Sequence, residues 1–209
     1  MTTAATDDFS ARAATWDDDP MKVARAAAVA DGIRRRIPLD AATRALEYGS
    51  GTGLVSFALR PPLERVTLAD SAPGMLAVVE AKRAAAGASG FRALRLDLSV
   101  DPLPPERFDL IYNAMTLHHI ADTAGILRQW SALLTRGGRL AIADLDAEDG
   151  TFHAAGFDGH RGFDRDALAR LAEDAGLRDI AFDTVFRMQR PANAGQTEFP
   201  VFLMIATKA

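Results

Sequence analysis

The stretch Leu46-Glu47-Tyr48-Gly49-Ser50-Gly51-Thr52-Gly53-Leu54 decides the reading of this chain. An apolar run of strand length, residues 44–48, ends there in three glycines spaced two apart, and a helical pattern follows at 54–59. Glycine lacks Cβ, so such a turn takes positive φ and lets a ligand approach the backbone. By itself the pattern is weak: it also serves dinucleotides, whose fuller fingerprint has a glycine where this chain has Leu54.

Outward from the loop, strand-length apolar runs recur at 65–69, 91–96, 108–112 and 139–143, and helical patterns lie at 73–86 and 123–134. This alternation predicts a parallel sheet covered on both faces. Gly87 and the Gly137-Gly138 pair read as helix stops. A helix is expected over 163–175, capped by Asp164 and ended by Gly176, and then two strands, 180–187 and 198–207, joined by a loop at 190–197. Strands with no helix between them pair antiparallel. The expected fold class is α/β: a Rossmann-like, seven-stranded, mostly parallel sheet with an antiparallel C-terminal hairpin. Residues 1–40 are expected to form a helical cap and 41–209 the core of one domain.

In a doubly wound sheet the ligand lies at the carboxyl ends of the strands, beside the switch in strand order. Asp70 ends the second strand, where a carboxylate accepts hydrogen bonds from ribose hydroxyls, as NAD and S-adenosylmethionine sites both require. Asp97 ends the third, placed for an adenine amino group, and the Leu98 amide is placed for a ring nitrogen. Three successive strand ends therefore carry recognition groups for one ligand.

Together with Asp70-Ser71-Ala72-Pro73-Gly74-Met75-Leu76, Asp97-Leu98, Phe108-Asp109-Leu110-Ile111-Tyr112-Asn113, Leu117-His118-His119-Ile120 and Leu134-Thr135-Arg136-Gly137-Gly138, the opening stretch resembles the class I S-adenosylmethionine-dependent methyltransferases. Within that family it is most similar to the small-molecule branch of ubiquinone and menaquinone biosynthesis. The resemblance implies that Glu47, Gly49, Ser50, Gly51 and Gly53 wrap the methionine part of the cofactor. It further implies that Asp70 and Ser71 hold the ribose, that Met75, Asp97 and Leu98 surround the adenine, and that Asn113 and Ala114 line the methionine side. Residues 9–17 resemble the family's short N-terminal cap, which would bring Trp16 over the sulfonium or simply pack it there.

Methyl transfer from a sulfonium rests on orientation and desolvation, with a base needed only when the acceptor must lose a proton. His118, His119 and His153 are the candidate catalytic groups, with Asp144, Asp146 and His160 near them after the strand ends. The long connection 144–161 contains Gly150, Gly156 and Gly159 and reads as a lid or substrate wall. His153, Asp158 and His160 could together hold a divalent metal, but they lack helical i, i+4 spacing and adjoin glycines, so no metal is expected. Asn113-Ala114-Met115-Thr116 lacks the proline-rich, aromatic-ended tetrapeptide of branches that methylate nucleic acids or protein glutamine, so a small, partly apolar acceptor with an O, C or N nucleophile is expected. A dinucleotide oxidoreductase, or a cofactor-binding module without chemistry, are the rival readings.

The 209 residues are 48% hydrophobic and carry a formal net charge of −4, which provides no general attraction to nucleic acid. The basic run Arg34-Arg35-Arg36 closes an Ala-rich helix beginning near Met21, where cations complement the macrodipole. With no cysteine, disulfides, thiolate metal sites and thiol nucleophiles are excluded. No membrane span or signal peptide is legible, so the expectation is a cytoplasmic protein acting as a monomer or homodimer.

Overall fold

The computed structural model describes residues 3–153, 156–189 and 197–209. Seven strands form one sheet: β1 (Arg44–Tyr48), β2 (Arg65–Asp70), β3 (Phe91–Arg95), β4 (Phe108–Ala114), β5 (Leu134–Leu145), β6 (Leu177–Gln189) and β7 (Glu198–Lys208). Their spatial order is β3-β2-β1-β4-β5-β7-β6. All neighbours pair parallel except β5 with β7 and β7 with β6, so β7 alone runs against the rest. The order reverses between β1 and β4, which is where such sheets bind ligands.

Alternation along the strands divides the core into two layers. Ala45, Leu110, Ala141 and Leu203 face one side with residues of α2 (Pro20–Arg36), α3 (Leu54–Leu59) and α4 (Pro73–Ala85). Leu46, Ile111, Ile142 and Met204 face the other with α5 (Thr123–Leu133) and α6 (Arg165–Asp174). Both faces are buried, which is why these strands read as continuous apolar runs. Helix α1 (Thr3–Arg12) and a 3₁₀ turn over Ala13–Asp18 precede α2.

Boundaries differ from expectation where local chemistry intervenes. Helix α2 starts at Pro20, because the Asp19 carboxylate accepts from the Met21 amide at 2.9 Å and proline suits the first turn. Helix α6 starts at Arg165, one residue after the expected cap Asp164, whose side chain accepts from the Ala167 amide at 2.8 Å. The Gly137-Gly138 pair does not stop α5. That helix ends at Leu133, and Gly137, at φ +75°, lies within β5, where residues 134 to 139 bulge opposite residues 108 to 110 of β4. The expected hairpin loop, 190–197, falls outside the described residues except for position 197.

Arg34-Arg35-Arg36 ends α2 as an exposed helix terminus, with Arg34 paired to Asp31 and Arg36 to Asp183. Among the described residues no helix is long and apolar enough to cross a membrane.

Candidate active site

The three glycines of the opening stretch all have positive φ, and each presents its bare Cα to a different neighbour. At Gly49, φ +67°, a Cβ would stand 2.2 Å from Thr116 Cγ2, so the end of β4 packs directly on the loop backbone. At Gly53, φ +79°, it would meet Leu68 Cδ2 at 2.6 Å, so this glycine lets α3 seat on β2. At Gly51, φ +52°, it would make only ordinary contact, with Met75 Sδ and Trp16 Nε1 each 4.0 Å away. Only there is the backbone bare toward a ligand.

Gly51 opens into a cleft of about 670 Å³ over the carboxyl ends of β1 to β4, within the range of small-molecule sites. One half is lined by Glu47, Gly49, Ser50, Gly51, Asp70, Ser71, Met75, Asp97 and Leu98. Asp70 shapes the loop as well as facing the cleft: its carboxylate accepts from the Gly51 amide at 2.7 Å and the Ala72 amide at 2.8 Å. Burial raises its pKa and these amides oppose the rise. Glu47 is buried beside Ser56, whose hydroxyl donates to it and lies 2.6 Å from the Tyr112 hydroxyl. Burial pushes Glu47 up to about 8 against that hydrogen bond. Asp97 accepts from the Ser99 amide and hydroxyl at 3.0 and 2.6 Å.

The N-terminal segment closes this half. Trp16 and Phe9 line the cleft, their rings edge to face at 5.7 Å. The segment is tied down by Asp17, which accepts from Thr52 Oγ1 and pairs with Lys82 at 2.8 Å; Lys82 also donates to the Thr52 carbonyl.

The other half is lined by Arg25, Ala114, Met115, Thr116, His119, Ile120, Ile126, Asp158 and His160. Met115 has φ +57°, a conformation uncommon outside glycine, held by its amide donating to the Ala143 carbonyl at 2.8 Å. The turn after it carries both histidines in different environments. His119 faces the cleft, and Phe9 meets its ring edge to face at 5.5 Å. Burial first, and then the neighbouring His118, lowers the His119 pKa to about 3. His118 is 1% exposed and lies behind the wall. Its Nδ1 is 2.6 Å from Asp144 Oδ1, and its backbone amide donates to Asp144 Oδ2 at 3.1 Å. A third contact comes from the Leu145 amide, and these partners hold the Asp144 pKa below the usual value against complete burial.

Several sequence expectations are corrected by this geometry. Gly53, Asn113, His118 and His153 do not line the cleft. Asn113 is buried one residue before the wall begins at Ala114, and its amide atoms find no partner among the described residues. His153 stacks on Phe157 at 3.7 Å, with the His118 ring 5.0 Å away. The Leu98 amide, expected to meet a ring nitrogen, donates instead to the Tyr48 hydroxyl at 2.9 Å. Asp146 pairs with Arg165 at 2.7 Å rather than facing the cleft. The 144–161 connection is anchored at its base: the Ala147 and Glu148 amides donate to the Phe163 and Arg161 carbonyls, each at 3.0 Å. Near its far end the His160 amide donates to the His118 carbonyl at 2.8 Å, and residues 154–155 of the connection lie outside the described residues.

Arg25, Tyr48, Met115 and Thr116 were not singled out from sequence as side chains of the site. Tyr48 was visible inside the glycine stretch, but its reach to Leu98 depends on a contact 50 residues away. Arg25 lies on the Ala-rich helix α2, where no local pattern marks one cation for the cleft.

Residues 46–142 match a family model described as a methyltransferase domain. The chain is 34% identical over 119 residues to the ubiquinone biosynthesis O-methyltransferase of Xylella fastidiosa, covering 56% of this chain and 47% of that protein. To the 27-O-demethylrifamycin SV methyltransferase of Amycolatopsis mediterranei it is 28% identical over 139 residues, covering 62% and 49%. The chain spans about half the length of the curated relatives it matches. A solved Haemonchus contortus phosphoethanolamine N-methyltransferase 2, in complex with S-adenosyl-L-methionine, superposes with TM-score 0.68 at 16% identity over 84% of this chain and 51% of that one. Strand order, glycine loop and sequence matches converge: residues 46–142 are similar to methyltransferase domains, and the fold is that of solved S-adenosylmethionine-dependent methyltransferases.

Proposed function

We propose that this chain transfers the methyl group of S-adenosylmethionine to a small, partly apolar acceptor. The observation that carries the reading is the single continuous cleft, with Gly51 and Asp70 in one half and His119 in the other. The bare backbone at Gly51 and the carboxylate oriented beside it suit the cofactor, as do Met75 and Asp97 further along. When bound, the cofactor supplies an electrophilic methyl on a sulfonium.

The chain's own residues bind, orient and dry the site. Asp70 is placed to accept from ribose hydroxyls, Asp97 from the adenine amino group, and the Gly49–Gly53 loop to border the methionine part. Phe9 and Trp16 exclude water from above. His119 is neutral at pH 7, the form that accepts a proton from an acceptor hydroxyl, while its low pKa makes it a weak base and gives positioning the larger share. His118 and Asp144 support the turn that carries it. The dinucleotide oxidoreductase reading shares Asp70 but is disfavoured by the family match.

The test incubates the full chain with methyl-labelled S-adenosylmethionine and a metabolite extract. Label is expected in a low-molecular-weight product. Label found only in protein or nucleic acid overturns the small acceptor; cofactor binding without any transfer favours the binding module that has lost chemistry.

A further inference from the structure

Glu47 brings a carboxylate to the cleft out of an otherwise apolar layer, and two buried hydroxyls meet behind it. Glu47 and Tyr112 are register partners on β1 and β4, so their side chains share the face that α3 covers, and Ser56 of α3 touches both. Ser56 and Tyr112 are fully buried and do not line the cleft, whereas Glu47, 2% exposed, does.

The hydrogen bonds among the three run in one direction. Burial and the adjoining Glu47 raise the Tyr112 pKa, so the phenol keeps its proton. Ser56 Oγ lies 2.6 Å from the Tyr112 hydroxyl and donates to Glu47. A hydroxyl has one proton to give. Ser56 spends it on Glu47 and therefore accepts from Tyr112, so the chain runs from Tyr112 through Ser56 to the carboxylate, each link polarising the next. The Ser56 backbone amide favours the same ionised carboxylate.

Packing does not require this arrangement, because buried polar partners replaced together by apolar groups of the same shape cost little. What it fixes is the orientation of the one member that reaches the cleft. Asp70 of β2 opposes the charge on Glu47 through space and Lys82 of α4 favours it, while Lys82 is itself held by Asp17. Of the α2 cations that line the cleft, Lys22 pairs with Asp19 and Arg25 donates to Met188 Sδ.

Resting on the methyltransferase reading, we propose that Ser56 and Tyr112 are positioning residues that aim the Glu47 carboxylate at the ammonium on the cofactor's amino-acid end, without touching the cofactor themselves. Burial pushes Glu47 up to about 8, so the free site holds its proton at neutral pH and releases it to solvent as the ammonium arrives. Affinity for that end therefore rises with pH until Glu47 is ionised.

The test is calorimetry on the full chain with S-adenosylhomocysteine and, in parallel, methylthioadenosine, which carries a methyl where the former has its amino-acid end. The ratio of the two affinities isolates that end. Ser56→Ala should lower S-adenosylhomocysteine affinity about tenfold and Tyr112→Phe about threefold, the scale of one hydrogen bond to a charged group and of one behind it. Methylthioadenosine affinity should stay unchanged in both. In the wild type the ratio should rise between about pH 6 and about pH 8. In both variants the support for the ionised form is weakened, so the rise should move to higher pH, further in Ser56→Ala. Equal losses for the two ligands, no loss in either variant, or pH profiles that superimpose on the wild type overturn the proposal. If one variant fails to fold, the other carries the comparison. Failure of the wild-type chain to bind either ligand is seen first; it rejects the methyltransferase reading itself and this proposal with it.

Discussion

The two halves of the cleft are built differently. The half over β1, β2 and β3 is made of residues that end consecutive strands, and much of its shape comes from backbone: the bare Gly51 and the two amides that hold Asp70. The half over β4 and β5 is assembled from side chains brought from α2, the 116–120 turn and the 158–160 segment. Backbone geometry repeats wherever the strand-loop-helix pattern repeats, so the first half is common to many chemistries. Side chains from distant segments distinguish one acceptor from another.

His118 and Asp144 support the second half without touching the cleft. His118→Ala removes the partner of a fully buried carboxylate, and we expect a stability loss of about 3–5 kcal/mol, seen in chemical denaturation. A loss under about 1 kcal/mol, the range of exposed ion pairs, would show that the pair does not support the wall.

In the first half, Asp70→Ala should weaken S-adenosylhomocysteine binding about 100-fold, the scale of losing charge-assisted hydrogen bonds to two hydroxyls, while the chain stays folded. Unchanged affinity by calorimetry would move the ribose elsewhere. The third contrast lies between neighbouring histidines. His119→Ala should leave stability within about 1 kcal/mol of wild type and lower kcat about 10- to 100-fold, with cofactor affinity unaltered. Its pKa of about 3 lies below the unperturbed value, so the imidazole stays neutral as pH rises through 5 to 8 and contributes no limb to the kcat profile there. An acid limb near pH 6.5 that disappears in His119→Ala would refute the buried, neutral assignment.

Much of the first half was legible before the structure. Glu47, Ser50, Asp70, Ser71, Met75 and Asp97 all reach the cleft wall, because a strand end is a local property and the ligand sits where strand ends converge. Gly53 reads locally as well, yet its role is packing on Leu68, which no local pattern reveals. In the second half, adjacent histidines looked equivalent. The tight turn over Leu117–His119 sends one ring inward to Asp144 and the other toward the cleft. Spacing alone could not decide this.

The order of strands and helices, the antiparallel ending and the glycine stretch with its acidic companions follow from local pattern, because hydrophobic period, caps and turn residues act over a few neighbours. Which side chains meet over β4 and β5 follows from packing across the molecule. Arg25 and Met188 are 163 residues apart, His118 and Asp144 are 26, and such contacts follow from how layers pack on the sheet. The glycine loop that opened the reading thereby divides into three roles, with Gly49 and Gly53 serving the packing of β4 and α3 and Gly51 alone left bare to the cleft.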